Sequence, residues 1–195
     1  MDKNAVISFF DECASNWDNN MIKNSEVISK ILDIAEIKSG ANVLDVACGT
    51  GVLFKDYISR GVRSLTAIDI SGEMVKIAKA KFPDIDVIEG DAESYQFKTK
   101  FDSIVIYNAF PHFVNDNQLF ENLSQHLSAS GRLTVAHGMS REAILACHKN
   151  KAKPVSKELM TAKELAEKMR LFVNVDTVIS NSQMYVVSGS TPVSL

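Results

Sequence analysis

The residues best suited to chemistry stand in one short loop and one aspartate beyond it. Asp45-Val46-Ala47-Cys48-Gly49-Thr50-Gly51 ends an apolar run, and Asp69 follows Gly49 by twenty residues. Two glycines let backbone approach a ligand with no Cβ in the way. A helix starting just behind such a loop offers unsatisfied N–H groups. A carboxylate at the end of the next strand can accept hydrogen bonds from ribose hydroxyls. The loop therefore points to a nucleoside-containing cofactor. A dinucleotide fingerprint needs a third glycine for close helix–strand packing, and here Phe54 holds that position. No basic residue in the loop meets a pyrophosphate, and Asp45 opposes one. The same carboxylate favours a cationic sulfonium ligand with a free amino group. The alternative is a structural glycine turn with a satisfied aspartate.

Two further loops carry ionisable side chains. In Tyr107-Asn108-Ala109-Phe110-Pro111-His112, Tyr107 and His112 are candidate bases. His112 reads either as a substrate contact or as a surface histidine before a helix. The run His137-Gly138-Met139-Ser140-Arg141 continues to Cys147-His148. With Ser140 as a cap, Arg141 and His148 are seven residues apart on one helix face. His137, Arg141 and His148 then have a route to converge above the site, with His137 as a third candidate catalytic group. Arg141 suits an acceptor carboxylate through a bidentate contact, and His148 is grouped with it as a substrate contact. Solvated or capping roles and a histidine–cysteine–histidine metal site are the alternatives. No close ligand pair has zinc spacing, so no metal is assigned.

The elements that must position these loops are legible in the apolar pattern. Asn42-Val43-Leu44-Asp45-Val46-Ala47 reads as a buried strand, followed by a helix over residues 52–60. Ser64 to Asp69 is a second strand, after which Ser71 can cap a helix with Val75, Ala78 and Phe82 on one face. Asp86 to Glu89 and Phe101 to Tyr107 are the third and fourth strands. A helix over 115–129 puts Leu119, Leu123 and Leu127 on one stripe, with Gly131 as its stop. Residues 132–137 make a fifth strand. Thr161 and Glu164 form a capping box, with Met160 and Leu165 placed as a staple. Residues 173–180 and 183–188 are strands too close for a crossover helix, hence antiparallel. Two helical segments precede the first strand. Alternation of strands and helices implies an α/β fold with a parallel sheet covered on both faces.

Composition agrees. The 195 residues carry 46% hydrophobic and 23% charged side chains, which excludes disordered, collagenous and low-complexity classes. One domain fits this length. With 21 basic against 24 acidic residues, the net charge of -3 argues against nucleic acid as partner. Three cysteines, Cys13, Cys48 and Cys147, are too few and scattered for a disulfide framework. Met1-Asp2-Lys3-Asn4 does not read as a signal peptide, and no apolar run nears the ~18 residues of a membrane helix. The expectation is a cytoplasmic protein with free thiols and no membrane partner.

VLDVACGTG, residues 43–51, resembles the glycine-rich first motif of class I S-adenosylmethionine-dependent methyltransferases, and the resemblance runs from about residue 9 to 188. Ala67-Ile68-Asp69-Ile70-Ser71 resembles the second motif and Gly90-Asp91-Ala92 the third. The loop from Tyr107 to His112 resembles the fourth, departing from the Asn/Asp-Pro-Pro-aromatic form of base-amino methyltransferases. Phe10-Asp11, Ala14 and Trp17-Asp18 resemble the N-terminal lid helix of small-metabolite methyltransferases. The resemblance implies a Rossmann-like sheet of seven strands, the last antiparallel. It implies S-adenosylmethionine as cofactor, held by Asp45, Ala47, Gly49, Gly51, Asp69, Ile70, Met74, Asp91, Ala92, Asn108 and Trp17. It divides one domain, residues 1–195, into a helical lid (1–40), a cofactor core (41–137), a substrate-lid insertion (138–160) and a C-terminal helix and hairpin (161–195). The activity it implies is methyl transfer to a small-molecule acceptor, with S-adenosylhomocysteine as product, by a monomer or homodimer. The nearest likeness is to quinone-biosynthesis-type and other generic small methyltransferases. Alternatives are a non-catalytic cofactor-binding module, a methyltransferase acting on a macromolecule, and a nicotinamide oxidoreductase that dispenses with the third glycine.

Overall fold

The structure, a computed structural model, describes residues 1–20, 23–147 and 155–192. Helices α1 (Lys3–Ala14) and α2 (Ser25–Ile34) lead into strand β1 (Asn42–Val46). The chain then runs α3 (Phe54–Ser59), β2 (Ser64–Asp69), α4 (Gly72–Lys81), β3 (Asp86–Glu89) and β4 (Phe101–Tyr107). It continues with α5 (Asp116–Gln125), β5 (Leu127–His137), α6 (Arg141–Cys147), α7 (Ala162–Met169), β6 (Asn174–Ser180) and β7 (Tyr185–Ser190). Seven strands form one sheet in the order β3-β2-β1-β4-β5-β7-β6. All neighbours from β3 to β5 are parallel, and β7 is antiparallel to both β5 and β6.

Alternation along the strands divides the core. Val43, Ala67 and Val105 face α2, α3 and α4 through Ile28, Leu32, Phe54, Tyr57, Val75 and Ala78. Leu44, Ile104 and Ile106 face α5 and α7 on the other side, through Leu119, Leu123, Leu165 and Met169. Each buried Leu, Ile or Phe contributes roughly 1.5–3 kcal/mol relative to exposure, so the sheet is held from both faces. Ser71 caps α4 by accepting from the Met74 N–H at 3.2 Å. The Thr161–Glu164 capping box starts α7. Among the described residues no helix is long and apolar enough to cross a membrane.

Three regions depart from expectation by two residues or more, each for a local reason. The helix expected over 52–60 begins only at Phe54, because Gly51 to Leu53 are spent on a turn in which the Gly51 N–H donates to the Cys48 carbonyl at 3.0 Å. The helix expected over 115–129 ends at Gln125, and β5 starts at Leu127 rather than Arg132. The Phe101 N–H donates to the His126 carbonyl at 2.8 Å, and Leu127 pairs with Phe101, so the stripe leaves the helix at its last leucine. Gly131 is therefore no helix stop; a Cβ there would lie 2.8 Å from the Phe101 carbonyl oxygen. The last strand spans Tyr185–Ser190 rather than 183–188. The Asn181 side chain accepts from the N–H groups of Gln183 (2.8 Å) and Met184 (2.9 Å), which turns those residues into the bend.

Candidate active site

Register brings the chemistry to one edge. Val46 pairs with Ile68 of β2 and Ile106 of β4, and Tyr107 with Ala136 of β5. The loop after β1, Asp69, and the loop after β4 thus share the carboxyl end of the sheet. Strand β1 lies between β2 and β4, where the chain reverses its direction of winding, the place where open α/β sheets bind ligands. A cavity of about 1070 Å³, its open mouth included, lies there. Helix α1 and the segment after it cover one side with Val6, Phe10 and Trp17.

Two carboxylates sit on its floor. Asp45 is 2% exposed and Asp69 8%. Asp69 Oδ2 accepts from the Gly49 N–H at 2.8 Å and Oδ1 from the Ser71 N–H at 2.9 Å, so this side chain shapes the glycine loop while facing the cavity. Burial raises the Asp69 carboxyl even against those donors. Burial, and then repulsion from Asp69, pushes the Asp45 carboxyl well above the ordinary range; the Tyr57 hydroxyl is the neighbour that favours its charged form. Burial and the same two charges push the Cys48 thiol up, which makes it a neutral wall group rather than a nucleophile. Ala47 (φ +55°) and Asn108 (φ +54°) both leave their strands in the left-handed conformation, rare for non-glycine residues, and both line the cavity.

On the opposite wall, a 3-10 turn at Phe110–His112 carries His112. Its Nδ1 lies 2.9 Å from the Val155 carbonyl oxygen and 3.1 Å from Ser156 Oγ. A carbonyl only accepts, so this contact places a proton on Nδ1. The Phe10 ring meets the imidazole edge-to-face at 4.9 Å. Tyr107 also lines the cavity, with its hydroxyl against Gly138, where a Cβ would have no room. Burial raises the Tyr107 hydroxyl, so it stays protonated at neutral pH.

Of the sequence-predicted residues, the cavity brings together Trp17, Asp45, Ala47, Gly49, Asp69, Ile70, Met74, Asp91, Ala92, Asn108, Tyr107 and His112. Gly51 stands behind the wall: at φ +85° it makes the turn into α3, where a Cβ would meet the Phe54 ring at 2.7 Å. His137 is 2% exposed, off the cavity wall and edge-to-face with Tyr185 across the β5–β7 pair. Arg141 is also off the wall, its Nε donating to the Leu159 carbonyl at 2.8 Å and its guanidinium 3.4 Å from Glu158. The expected convergence of His137 and Arg141 over the site therefore does not form. His148 lies outside the described residues, as do residues 148–154 of the expected insertion. Among the described residues no group of three His, Cys, Asp or Glu is placed to hold a metal.

Lys3 and Glu93 were not anticipated, and both line the cavity. Lys3 forms ion pairs with Asp91 Oδ2 (2.5 Å) and Glu93 Oε2 (2.6 Å). A lysine ninety residues ahead of its partner leaves no short-range pattern. The adjacency of Glu93 to the third motif was the one available signal.

The family described as methyltransferase domain matches residues 43–131. A demethylmenaquinone methyltransferase of Paenarthrobacter aurescens is 31% identical over 137 residues, 67% of this chain and 54% of the relative. An uncharacterized methyltransferase of Bacillus cereus is 36% identical, over 65% of this chain and 64% of its own length. The chain thus spans between half and two thirds of these relatives. Among solved structures, magnesium protoporphyrin IX methyltransferase of Synechocystis, with bound S-adenosylhomocysteine, superposes with a TM-score of 0.73 at 14% identity, covering 98% of this chain and 100% of the other. That likeness is one of fold.

Proposed function

We propose that this chain is a class I S-adenosylmethionine-dependent methyltransferase and that it transfers a methyl group from S-adenosylmethionine to a small-molecule acceptor, a reading supported by the methyltransferase-domain match over residues 43–131 and by the methyltransferase relatives. The observation that carries the reading is the pair of buried carboxylates, Asp45 and Asp69, on the cavity floor beside a loop without basic residues. Buried charges of like sign are costly unless a cation joins them. A ligand with an ammonium and a sulfonium supplies that cation, whereas a pyrophosphate adds repulsion. The residues present thus fit the cofactor.

In this reading Asp69 would hold the ribose hydroxyls, Ile70 and Met74 the adenine, Asp91 its amino group, and Asp45, Ala47 and Gly49 the amino-acid end. When bound, the cofactor would supply an electrophilic methyl carbon on a cationic sulfur, a leaving group that departs neutral with its electron pair. The protein's part is alignment and exclusion of water, with orientation worth up to ~7–11 kcal/mol in well-aligned cases. Phe10, Trp17 and Phe113 wall the cavity against water. His112, on the cavity wall, is the candidate to take the acceptor's proton where the acceptor is a hydroxyl or ammonium. Asn108 Oδ1 accepts from the Gly138 N–H at 3.0 Å and holds the acceptor-side loop against the end of β5.

A small acceptor is favoured because α1 covers the cavity and the net charge is -3. A cytoplasmic site of action, where thiols stay reduced, belongs to the same proposal. The test is transfer of labelled methyl from S-adenosylmethionine into a fractionated cell extract. Label in the small-molecule fraction is expected. Label confined to RNA or protein would replace this reading with a macromolecular acceptor, and binding without transfer to any fraction would leave a cofactor-binding module.

A further inference from the structure

Glu93 is a carboxylate at 2% exposure, and its two oxygens point to different parts of the molecule. Oε1 accepts from the backbone N–H of Val114 (2.6 Å) and Asn115 (2.9 Å), which close the loop carrying His112 and cap α5. Oε2 faces the Lys3 ammonium at 2.6 Å, and Lys3 comes from the first turn of α1. The same ammonium reaches Asp91 Oδ2 at 2.5 Å, while Asp91 Oδ1 accepts from the Glu93 N–H at 2.9 Å. At its other end α1 is fixed by Asp11, which accepts from Ser71 Oγ at 2.6 Å and the Glu73 N–H at 3.2 Å.

We infer that Lys3, Asp91 and Glu93 form a latch that couples the covering helix to both walls of the cavity, with Lys3 and Glu93 as positioning residues for the reaction. A buried carboxylate without its cation is strongly unfavourable. Lifting the first turn of α1 strands Glu93, and Glu93 holds the acceptor-side loop. Movement of α1, access to Asp91 and the position of residues 110–115 are therefore linked. A ligand group that takes Asp91 Oδ2 draws Lys3 onto Glu93 alone, and so reports its presence to the loop that bears His112. That last step rests on the cofactor reading above; the latch itself does not.

The test begins on the ligand-free full chain, by hydrogen exchange in wild type, Lys3→Met, Lys3→Arg and Glu93→Gln. Lys3→Met is expected to speed exchange about tenfold in both α1 and residues 110–115, with Lys3→Arg restoring the wild-type rates. Glu93→Gln keeps an acceptor for Val114 and Asn115 and is expected to loosen α1 chiefly. Unchanged exchange in Lys3→Met, or a change confined to α1, overturns the latch. A second measurement mixes each variant with S-adenosylhomocysteine and follows Trp17, the chain's single tryptophan and a cavity residue. Faster association in Lys3→Met by about tenfold is expected. Should wild type not bind this probe while exchange behaves as expected, the latch stands and the cofactor reading falls.

Discussion

At Asp45, binding and folding make opposite demands on one carboxyl. Burial and the Asp69 charge raise it, so the folded chain holds this proton more tightly than the unfolded chain, whose value is about 3.9. Its contribution to stability is present at acid pH and is lost as pH rises through the raised folded value. At neutral pH Asp45 therefore weakens the ligand-free fold. Asp45→Asn is expected to raise the ligand-free Tm at pH 7, by roughly 2–4 °C for each kcal/mol relieved. The difference from wild type should shrink as the pH is lowered. The same variant should bind S-adenosylmethionine about tenfold or more weakly. Calorimetry with and without the cofactor checks both signs; a variant that is neither more stable nor weaker in binding contradicts the assignment. Asp45 and Asp69 were legible in the sequence because a strand end, a glycine loop and a second strand end are short-range signals. The pairing of Lys3 with Asp91 and Glu93 was not, since sheet and helix packing bring the first turn of the chain to the third strand's exit.

The elements hold the site by leaving their strands abruptly. Ala47 turns out of β1 at φ +55°, where an L-residue costs roughly 1–2 kcal/mol relative to a right-handed conformation. Glycine carries no such cost, so Ala47→Gly is expected to gain about 1 kcal/mol after its own entropy loss is counted. Urea unfolding reads this as a higher midpoint with an unchanged slope; a lower midpoint would mean that the methyl group packs usefully against the cavity. Strands β2, β3 and β4 were read to the residue, since each is a β-branched run bounded by turn residues. The end of α5 was misplaced because Leu127 continues the helical spacing of Leu119 and Leu123 while belonging to β5. Apolar period alone does not separate the last helical residue from the first strand residue when both face the same core. The position of Arg141 escaped for a related reason: helical spacing says which residues share a helix face, and the packing of that helix decides where the face looks. His137 was legible as a strand end, but its side chain packs edge-to-face on Tyr185 across the β5–β7 pair.

For the whole molecule, the strand order and the antiparallel β7 follow from right-handed crossovers and one short final hairpin. That architecture gathers a glycine loop, two buried carboxylates and a histidine at a single edge. It does not select the acceptor, because the acceptor-side loop and its cover are the parts in which folds of this kind vary. The central claim is that this edge binds a sulfonium nucleoside rather than a dinucleotide. Calorimetric titration of the purified chain with S-adenosylhomocysteine, with NADH as comparator, addresses it most directly. One site of about micromolar affinity for the former, lost by tenfold or more in Asp69→Ala, with no heat from NADH, is the expected result. Binding of NADH, or of neither ligand, would contradict it.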